Sequence, residues 1–369
     1  MKHLAEGSEI ARLIRRIQTG KGAERELVAR IRAVVRNPIR TVQVAAVAAQ
    51  FGSSVSIALA TEPPRIGFPV DCALGETCFV QNYVDIDPGP EAADFACGFL
   101  TYDGHKGVDF RILDLKMMAD GVPVLAAAGG QVLRVRDGVR DGFPKDIGEA
   151  QIKGKECGNG AVIDLDDGWQ MQYCHMREGS IAVEQGQTIA VGDKIGLVGM
   201  SGRAEFPHLH FGIRHKKRVV DPYVGLAPAK HCEGPLKPLW TSAALPALQY
   251  RTSGLLNAGF TSDKPTMRGI EEGKYHERAT SQTSNLIFYV RFFGLREGDR
   301  QSFRVTGPRG GTVVEKQFGP AAKNQAQWMQ FVGRRAPKNG WPKGTYRAVF
   351  QLRRNGNPVI EATRRVEIH

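Results

Sequence analysis

Residues 161–176 read AVIDLDDGWQMQYCHM. Two short apolar runs, Ala161–Leu165 and Trp169–Cys174, flank Asp167-Gly168, a dipeptide suited to the left-handed backbone of a tight hairpin turn. The stretch predicts two paired antiparallel strands. The same pattern recurs on both sides of it. Val122–Ala128, Gln131–Val135, Lys194–Val198 and Leu209–Ile213 are further apolar runs between turn signals, and long helical periodicity is absent. The expected unit is an antiparallel β domain over residues 65–225. Residues 137–157 carry few apolar side chains and read as an inserted loop.

Beyond residue 246 the alternation resumes in Leu286–Phe293, Gln301–Thr306, Thr312–Phe318, Gln327–Val332, Thr345–Leu352 and Val359–Ile368, with Asn355-Gly356 marking a hairpin. Six or seven short strands at this spacing predict an immunoglobulin-like β-sandwich over 247–369. Pro222, Pro228, Pro235, Pro238 and Pro246 crowd the boundary, so 226–246 reads as a stiff connector.

Composition agrees with this division. The chain has 369 residues, enough for two or three domains, and its 42% hydrophobic content excludes a largely disordered polymer. Forty-three Gly and 20 Pro favour turns over long helices. No stretch reads as a membrane span, which excludes a polytopic membrane protein. The net charge of +12 is uneven: residues 1–60 carry +6, residues 61–240 carry −6 and residues 241–369 carry +12. A basic end suits nucleic acid, an anionic membrane or an anionic wall polymer, or is simply a solvated basic face.

The N-terminal segment 1–60 suggests export. Arg30, Arg32, Arg36 and Arg40 precede an uncharged run from Thr41 to Thr61 that includes Ala58-Leu59-Ala60, the basic, apolar, small order of a signal peptide. Met1 lies far upstream of that run. One reading places the true start at Val34 or Val35; the other is a genuine N-terminal helix, with Ile10, Leu13, Ile14 and Ile17 at helical spacing. All six cysteines follow the expected cleavage site, and no CxxC pair occurs. Six cysteines allow fifteen pairings, among which Cys72–Cys78 is the most local and Cys157–Cys174 with Cys97–Cys232 complete the favoured set; six reduced thiols are the alternative.

Three histidine signals sit on the middle module: His105-Lys-Gly-Val-Asp109, Tyr173-Cys174-His175-Met176 and Pro207-His208-Leu209-His210-Phe211. Residues two apart on a strand share a face. His208 and His210 therefore point together while Leu209 and Phe211 enter the core, and Tyr173 is expected to share a face with His175, with Cys174 turned away. Gly107 is expected to let the 105–109 loop bend so that His105 and Asp109 reach one point. Two imidazoles and one carboxylate make a zinc set with an open fourth position.

In order and approximate spacing, residues 98–222 resemble the lysostaphin-type (LytM-type) zinc metallopeptidases. The matching pieces are Gly104–Phe110, Pro123–Val132, Gly158–Asp164, Tyr173–Met176, Val191–Gly196, Gly199–Gly202 and Pro207–Phe211. The resemblance implies a β-sheet metallopeptidase fold of the duplicated hybrid motif type. It implies His105, Asp109 and His210 as ligands of one Zn2+, and His175 and His208 as catalytic histidines. Its chemistry is hydrolysis of peptide cross-links by zinc-activated water with histidine acid–base assistance. The long 137–157 insertion and Gly212, where an acidic residue is common, depart from the pattern, and the family's upstream tyrosine has no clear equivalent, Tyr102 being the nearest candidate.

Other motifs read as scaffold. His276-Glu277 lacks the second histidine of HExxH, Gly158-Asn-Gly160 lacks the third glycine of a dinucleotide fingerprint, and Gly199-Met-Ser201-Gly202 is not a nucleophile elbow. The expected function is a periplasmic or secreted zinc endopeptidase acting on peptidoglycan peptides, with 247–369 either contacting anionic wall or outer-membrane polymer or serving as a structural cap. The alternative is a non-catalytic wall-binding scaffold or an activator of another hydrolase. A nucleic-acid partner is disfavoured by export and by the lack of a recognisable motif.

Overall fold

The computed structural model describes residues 62–226, 236–275 and 279–369. The expected signal peptide, the Cys232 half of the expected Cys97–Cys232 pair and the His276-Glu277 decoy lie outside them.

In chain order the first module carries β1 (Cys78–Asn82), β2 (Val108–Ile112), α1 (Leu115–Asp120), β3 (Pro123–Leu125), β4 (Gly130–Arg136), α2 (Pro144–Ile147), α3 (Glu149–Ile152), β5 (Asn159–Asp164), β6 (Trp169–Met176), β7 (Thr188–Ile189), β8 (Lys194–Leu197), β9 (His208–His215) and β10 (Arg218–Val219). One antiparallel sheet runs in the order β1-β2-β9-β6-β5-β4-β7, with β10 attached to β9 and β3 pairing separately with β8. Asp167 and Gly168 take positive φ at the β5–β6 hairpin, as the opening stretch predicts. One sheet face is sealed by Phe110, Tyr173, Leu209, Phe211 and Ile213, each at most 1% exposed.

The strands β1 and β2 escape the periodicity reading. In β2 (VDFRI), Asp109 and Arg111 interrupt the apolar run, yet all five residues are buried. Burying both charges requires partners from distant parts of the chain. The 137–157 segment is a loop that includes two short helical turns, α2 and α3. It is tied down: Asp141 accepts hydrogen bonds from Met200 N (2.6 Å) and Glu178 N (2.8 Å), and Asp137 accepts from Gly179 N (2.8 Å).

The second module is a sandwich. After β11 (Gly254–Thr261) and α4 (Met267–Glu271) come β12 (Asn285–Leu295), β13 (Arg300–Thr306), β14 (Thr312–Gln317), β15 (Gln325–Arg335), β16 (Gly344–Arg354) and β17 (Asn357–Ile368). They form a sheet β11-β12-β15 and a sheet β14-β13-β16-β17. Phe288, Val290 and Phe292 from one meet Phe303, Tyr346, Phe350 and Leu352 from the other in one core. The six expected strand cores are present; β11, with its glycines and Asn257, is the addition. No helix among the described residues is long and apolar enough to cross a membrane.

Disulfides join Cys72 to Cys78 and Cys157 to Cys174, matching two of the favoured pairs. The described part of the connector is held in place: Ile66 N donates to Leu239 O (2.9 Å), Thr241 N donates to Ile66 O (2.8 Å), and Trp240 is fully buried in the first core.

Beneath the sheet edge lies an aromatic cluster. The Tyr83 ring sits 5.3 Å from Phe95, 5.2 Å from Tyr223 and 5.1 Å from Tyr250. Asp94, which accepts from Tyr250 Oη at 2.7 Å, and Asp221 are buried beside it. Burial raises the Asp221 carboxyl to about 7, with the Asp94 charge adding to the rise against hydrogen bonds from Tyr223 N and Val224 N. An acid whose folded value is raised is favoured protonated, so its contribution to stability is full below the unfolded value near 3.9 and is lost as pH rises through about 7. Asp221→Asn is therefore expected to be more stable than the wild type at pH 8, by a few kcal/mol at most (about 4), and no more stable near pH 4. Urea unfolding of both proteins across that range checks it.

Candidate metal centre

Three neighbouring strands bring the site together. In the β2–β9 ladder Asp109 stands opposite His210 and Arg111 opposite His208. In the β6–β9 ladder Cys174 stands opposite His210 and Tyr173 opposite Phe211. His105 arrives from the loop before β2, its backbone N donating to Tyr102 O at 3.0 Å.

His105 Nε2, Asp109 Oδ1 and His210 Nδ1 converge. His105 Nε2 lies 3.1 Å from both others, and His210 Nδ1 lies 2.9 Å from Asp109 Oδ1. They form the cluster among the described residues able to hold a metal ion. The other polar atoms are mostly engaged elsewhere: His105 Nδ1 donates to Tyr83 O at 2.6 Å, and Asp109 Oδ2 accepts from Asn82 Nδ2 at 2.9 Å. These contacts select which atom of His105 and of Asp109 faces the point of convergence. Donor atoms about 3 Å apart are close enough to converge on one ion. Two imidazoles and a carboxylate are a donor set that zinc accepts, so the residues present fit that metal.

His175 and His208 lie alongside, their ring centroids 4.7 Å apart, and His175 is 5.9 Å from His210. His175 Nδ1 donates to Ser201 O at 2.7 Å and His208 Nδ1 to Phe206 O at 2.8 Å. Nε2 is then the unprotonated nitrogen of each neutral ring. His208 Nε2 lies 3.6 Å from Asp109 Oδ1.

Two expectations change here. Strict alternation puts His175 on the face of Tyr173, but Tyr173 is in the core and the Cys174 side shares the face of His210. His175 has φ +61, and this left-handed step breaks the alternation and returns its ring to the histidine cluster. Gly107 does not take a positive φ; its role is space. A Cβ there would lie 2.6 Å from His210 Nε2 and 2.7 Å from Phe211 O. Gly107→Ala is expected to displace the His210 ring and abolish stoichiometric metal binding while the sandwich stays folded, read by metal content and circular dichroism.

The charges are mutually dependent. Burial alone would raise the Asp109 carboxyl, but the charges of His105 and His208 and hydrogen bonds from His105 and His210 hold it well below the usual carboxylate range. Burial lowers His105, yet the Asp109 charge and hydrogen bond, with the Tyr83 carbonyl, leave it raised. His175 is held well below its ordinary value by burial first and then by His208 and His210. Burial also lowers His208, against the pull of Asp109.

Periodicity could not find Asn82, Tyr83 or Ser201, which act on the site through an amide or a backbone carbonyl. Tyr102 is 55% exposed, its ring 4.5 Å from that of His105.

The profile of peptidase family M23 matches residues 103–222. That match takes in about a third of the chain. The chain is 32% identical over 117 residues to "Peptidoglycan DD-endopeptidase ShyB" of Vibrio cholerae, covering 32% of this chain and 22% of that protein. It is 32% identical over 118 residues to an "Uncharacterized metalloprotease" of Haemophilus influenzae (32% and 20%), and 31% identical over 110 residues to "Cell division protein DipM" of Caulobacter vibrioides (30% and 17%). The chain spans about a fifth of the length of these relatives. His105, Asp109, His175, His208 and His210 all fall inside the matched segment, whereas the sandwich lies beyond it.

Proposed function

We propose that this chain is a zinc-dependent endopeptidase that hydrolyses peptide cross-links of bacterial peptidoglycan. The convergence of His105, Asp109 and His210 on one point carries the reading, supported by the M23 match and by a relative named for peptidoglycan DD-endopeptidase activity. In this reading residues 65–225 are the hydrolytic module, 226–246 the connector and 247–369 a basic module that contacts anionic wall or outer-membrane polymer.

His105 and His210 each offer one nitrogen and Asp109 one oxygen to the metal. Zinc bound there supplies Lewis-acid polarisation of the scissile carbonyl and acidifies water. The chain supplies the proton transfers. Ser201 O and Phe206 O hold the protons of His175 and His208 on Nδ1, so each Nε2 accepts. One of the two takes the proton of the attacking water on Nε2 and, as the protonated ring it then is, hydrogen-bonds the developing oxyanion or delivers that proton to the leaving amine. Their lowered proton affinity keeps both rings neutral at pH 7.

A periplasmic or secreted location follows from the same reading, and two disulfides suit an oxidising compartment. Digestion of defined muropeptides by the wild type and His210→Ala, with mass detection and zinc assay, tests the proposal. Peptide release by the wild type alone is expected. A wild type that holds zinc and releases nothing overturns hydrolysis and leaves a wall-binding scaffold.

A further inference from the structure

Three buried charges join the two modules behind the histidine cluster. Arg111 of β2 is fully buried, Glu271 at the end of α4 is 4% exposed, and Arg291 in the middle of β12 is 1% exposed. Arg111 Nη2 donates to Glu271 Oε2 at 2.6 Å, and Arg291 Nη1 donates to the same oxygen. Arg291 Nη2 also reaches back to Leu113 O at 2.7 Å, just past the end of β2. Asn257 of β11 braces both sides: its Oδ1 accepts from Arg291 Nε at 2.9 Å, and its Nδ2 donates to Asp114 Oδ2 at 3.3 Å.

Arg111 touches both supports of the site. Its guanidinium lies 4.5 Å from the centre of the Phe206 ring, and Phe206 O is the acceptor that keeps the His208 proton on Nδ1. Its Nη1 donates to Gln81 Oε1 at 2.8 Å, and the next residue, Asn82, holds Asp109 Oδ2. Arg111 also stands opposite His208 in the ladder. A guanidinium has a fixed planar fork, so its carboxylate partner determines where its remaining donors and its face can sit.

We propose that Glu271 is a positioning residue for the hydrolytic site: by fixing Arg111 it sets the placement of His208 through Phe206 and of Asp109 through Gln81 and Asn82, which makes the sandwich a working part of the site. This rests on the hydrolytic reading above. A sandwich that only recruits wall polymer needs no carboxylate beneath β2. A buried pair kept only for stability needs no contact with Phe206 and Gln81, because apolar residues of similar volume stabilise as well or better.

The test uses the full zinc-loaded chain and two variants. Glu271→Gln keeps the shape and removes the charge. The triple variant R111M/E271L/R291M replaces the network with apolar side chains, so it stays folded where the single change does not. Turnover of a defined muropeptide is measured well below each Tm, alongside the imidazole nitrogen NMR signals of His208 with and without zinc. We expect both variants to lose about tenfold or more in kcat, with KM unchanged and a shifted His208 signal, and Glu271→Asp to recover part of the loss. Wild-type kcat and an unmoved His208 signal in the triple variant overturn the proposal, whatever its Tm; a loss confined to Tm has the same meaning. If the wild type cleaves no wall peptide, the hydrolytic reading falls, while the His208 signal still decides the positioning role.

Discussion

Asp109→Asn is expected to strip the metal and lower peptide cleavage by about a thousandfold or more, the rate equivalent of several kcal/mol of Lewis-acid stabilisation. The change is nearly isosteric, so it removes charge more than volume. Asp109 is the carboxylate to which His105 and His210 are both bonded, and His208 Nε2 lies 3.6 Å from the same oxygen. Without it, an ion on the two imidazoles loses its anionic donor and gains the repulsion of any protonated neighbour. Zinc content after dialysis and turnover of a defined muropeptide are the measurements. A variant that keeps one zinc per chain and wild-type turnover overturns the ligand assignment.

His208→Ala and His175→Ala should separate chemistry from metal binding. Neither ring belongs to the convergent donor set, so both variants are expected to retain zinc. Each should lose about 10²- to 10⁴-fold in kcat, the usual worth of one positioned proton-transfer group. The pH profile adds a check. A base must be neutral, and burial lowers both histidines below the ordinary value near 6.5. Wild-type kcat/KM should therefore hold as pH falls past 6.5 and drop only at the lowered values. An acid limb centred above 6.5, or zinc lost with either alanine, contradicts the assignment.

Much of this site is legible in the chain. Strands β5, β6, β9 and six strands of the sandwich, β12 to β17, announce themselves through apolar runs that alternate with turn signals. The pairing of His208 with His210 follows from the strand period of two, since β9 runs regularly through both. The period fails at His175, where one residue of positive φ reverses the expected face. It also fails for β2, where Asp109 and Arg111 interrupt the apolar run and are nevertheless buried. Their partners lie far along the chain: His210 is 101 residues from Asp109, and Glu271 is 160 from Arg111. Gly107 likewise reads as the residue that lets the 105–109 loop bend, and its actual constraint is the volume of the His210 ring.

Composition and local pattern alone determined a mainly β chain, its division into an acidic middle and a basic end, and the residue types from which a metal site is made. Local rules operate over a few residues, which is enough to choose strands and turns. The tertiary structure decided which nitrogen of His105, His175 and His208 carries the proton, since the acceptors are backbone carbonyls of Tyr83, Ser201 and Phe206. It also decided that a carboxylate of the sandwich lies under the strand carrying Asp109. The physical reason is shared: a buried charge or a buried ring proton must find a partner in space, and its distance along the chain sets no limit on where that partner comes from.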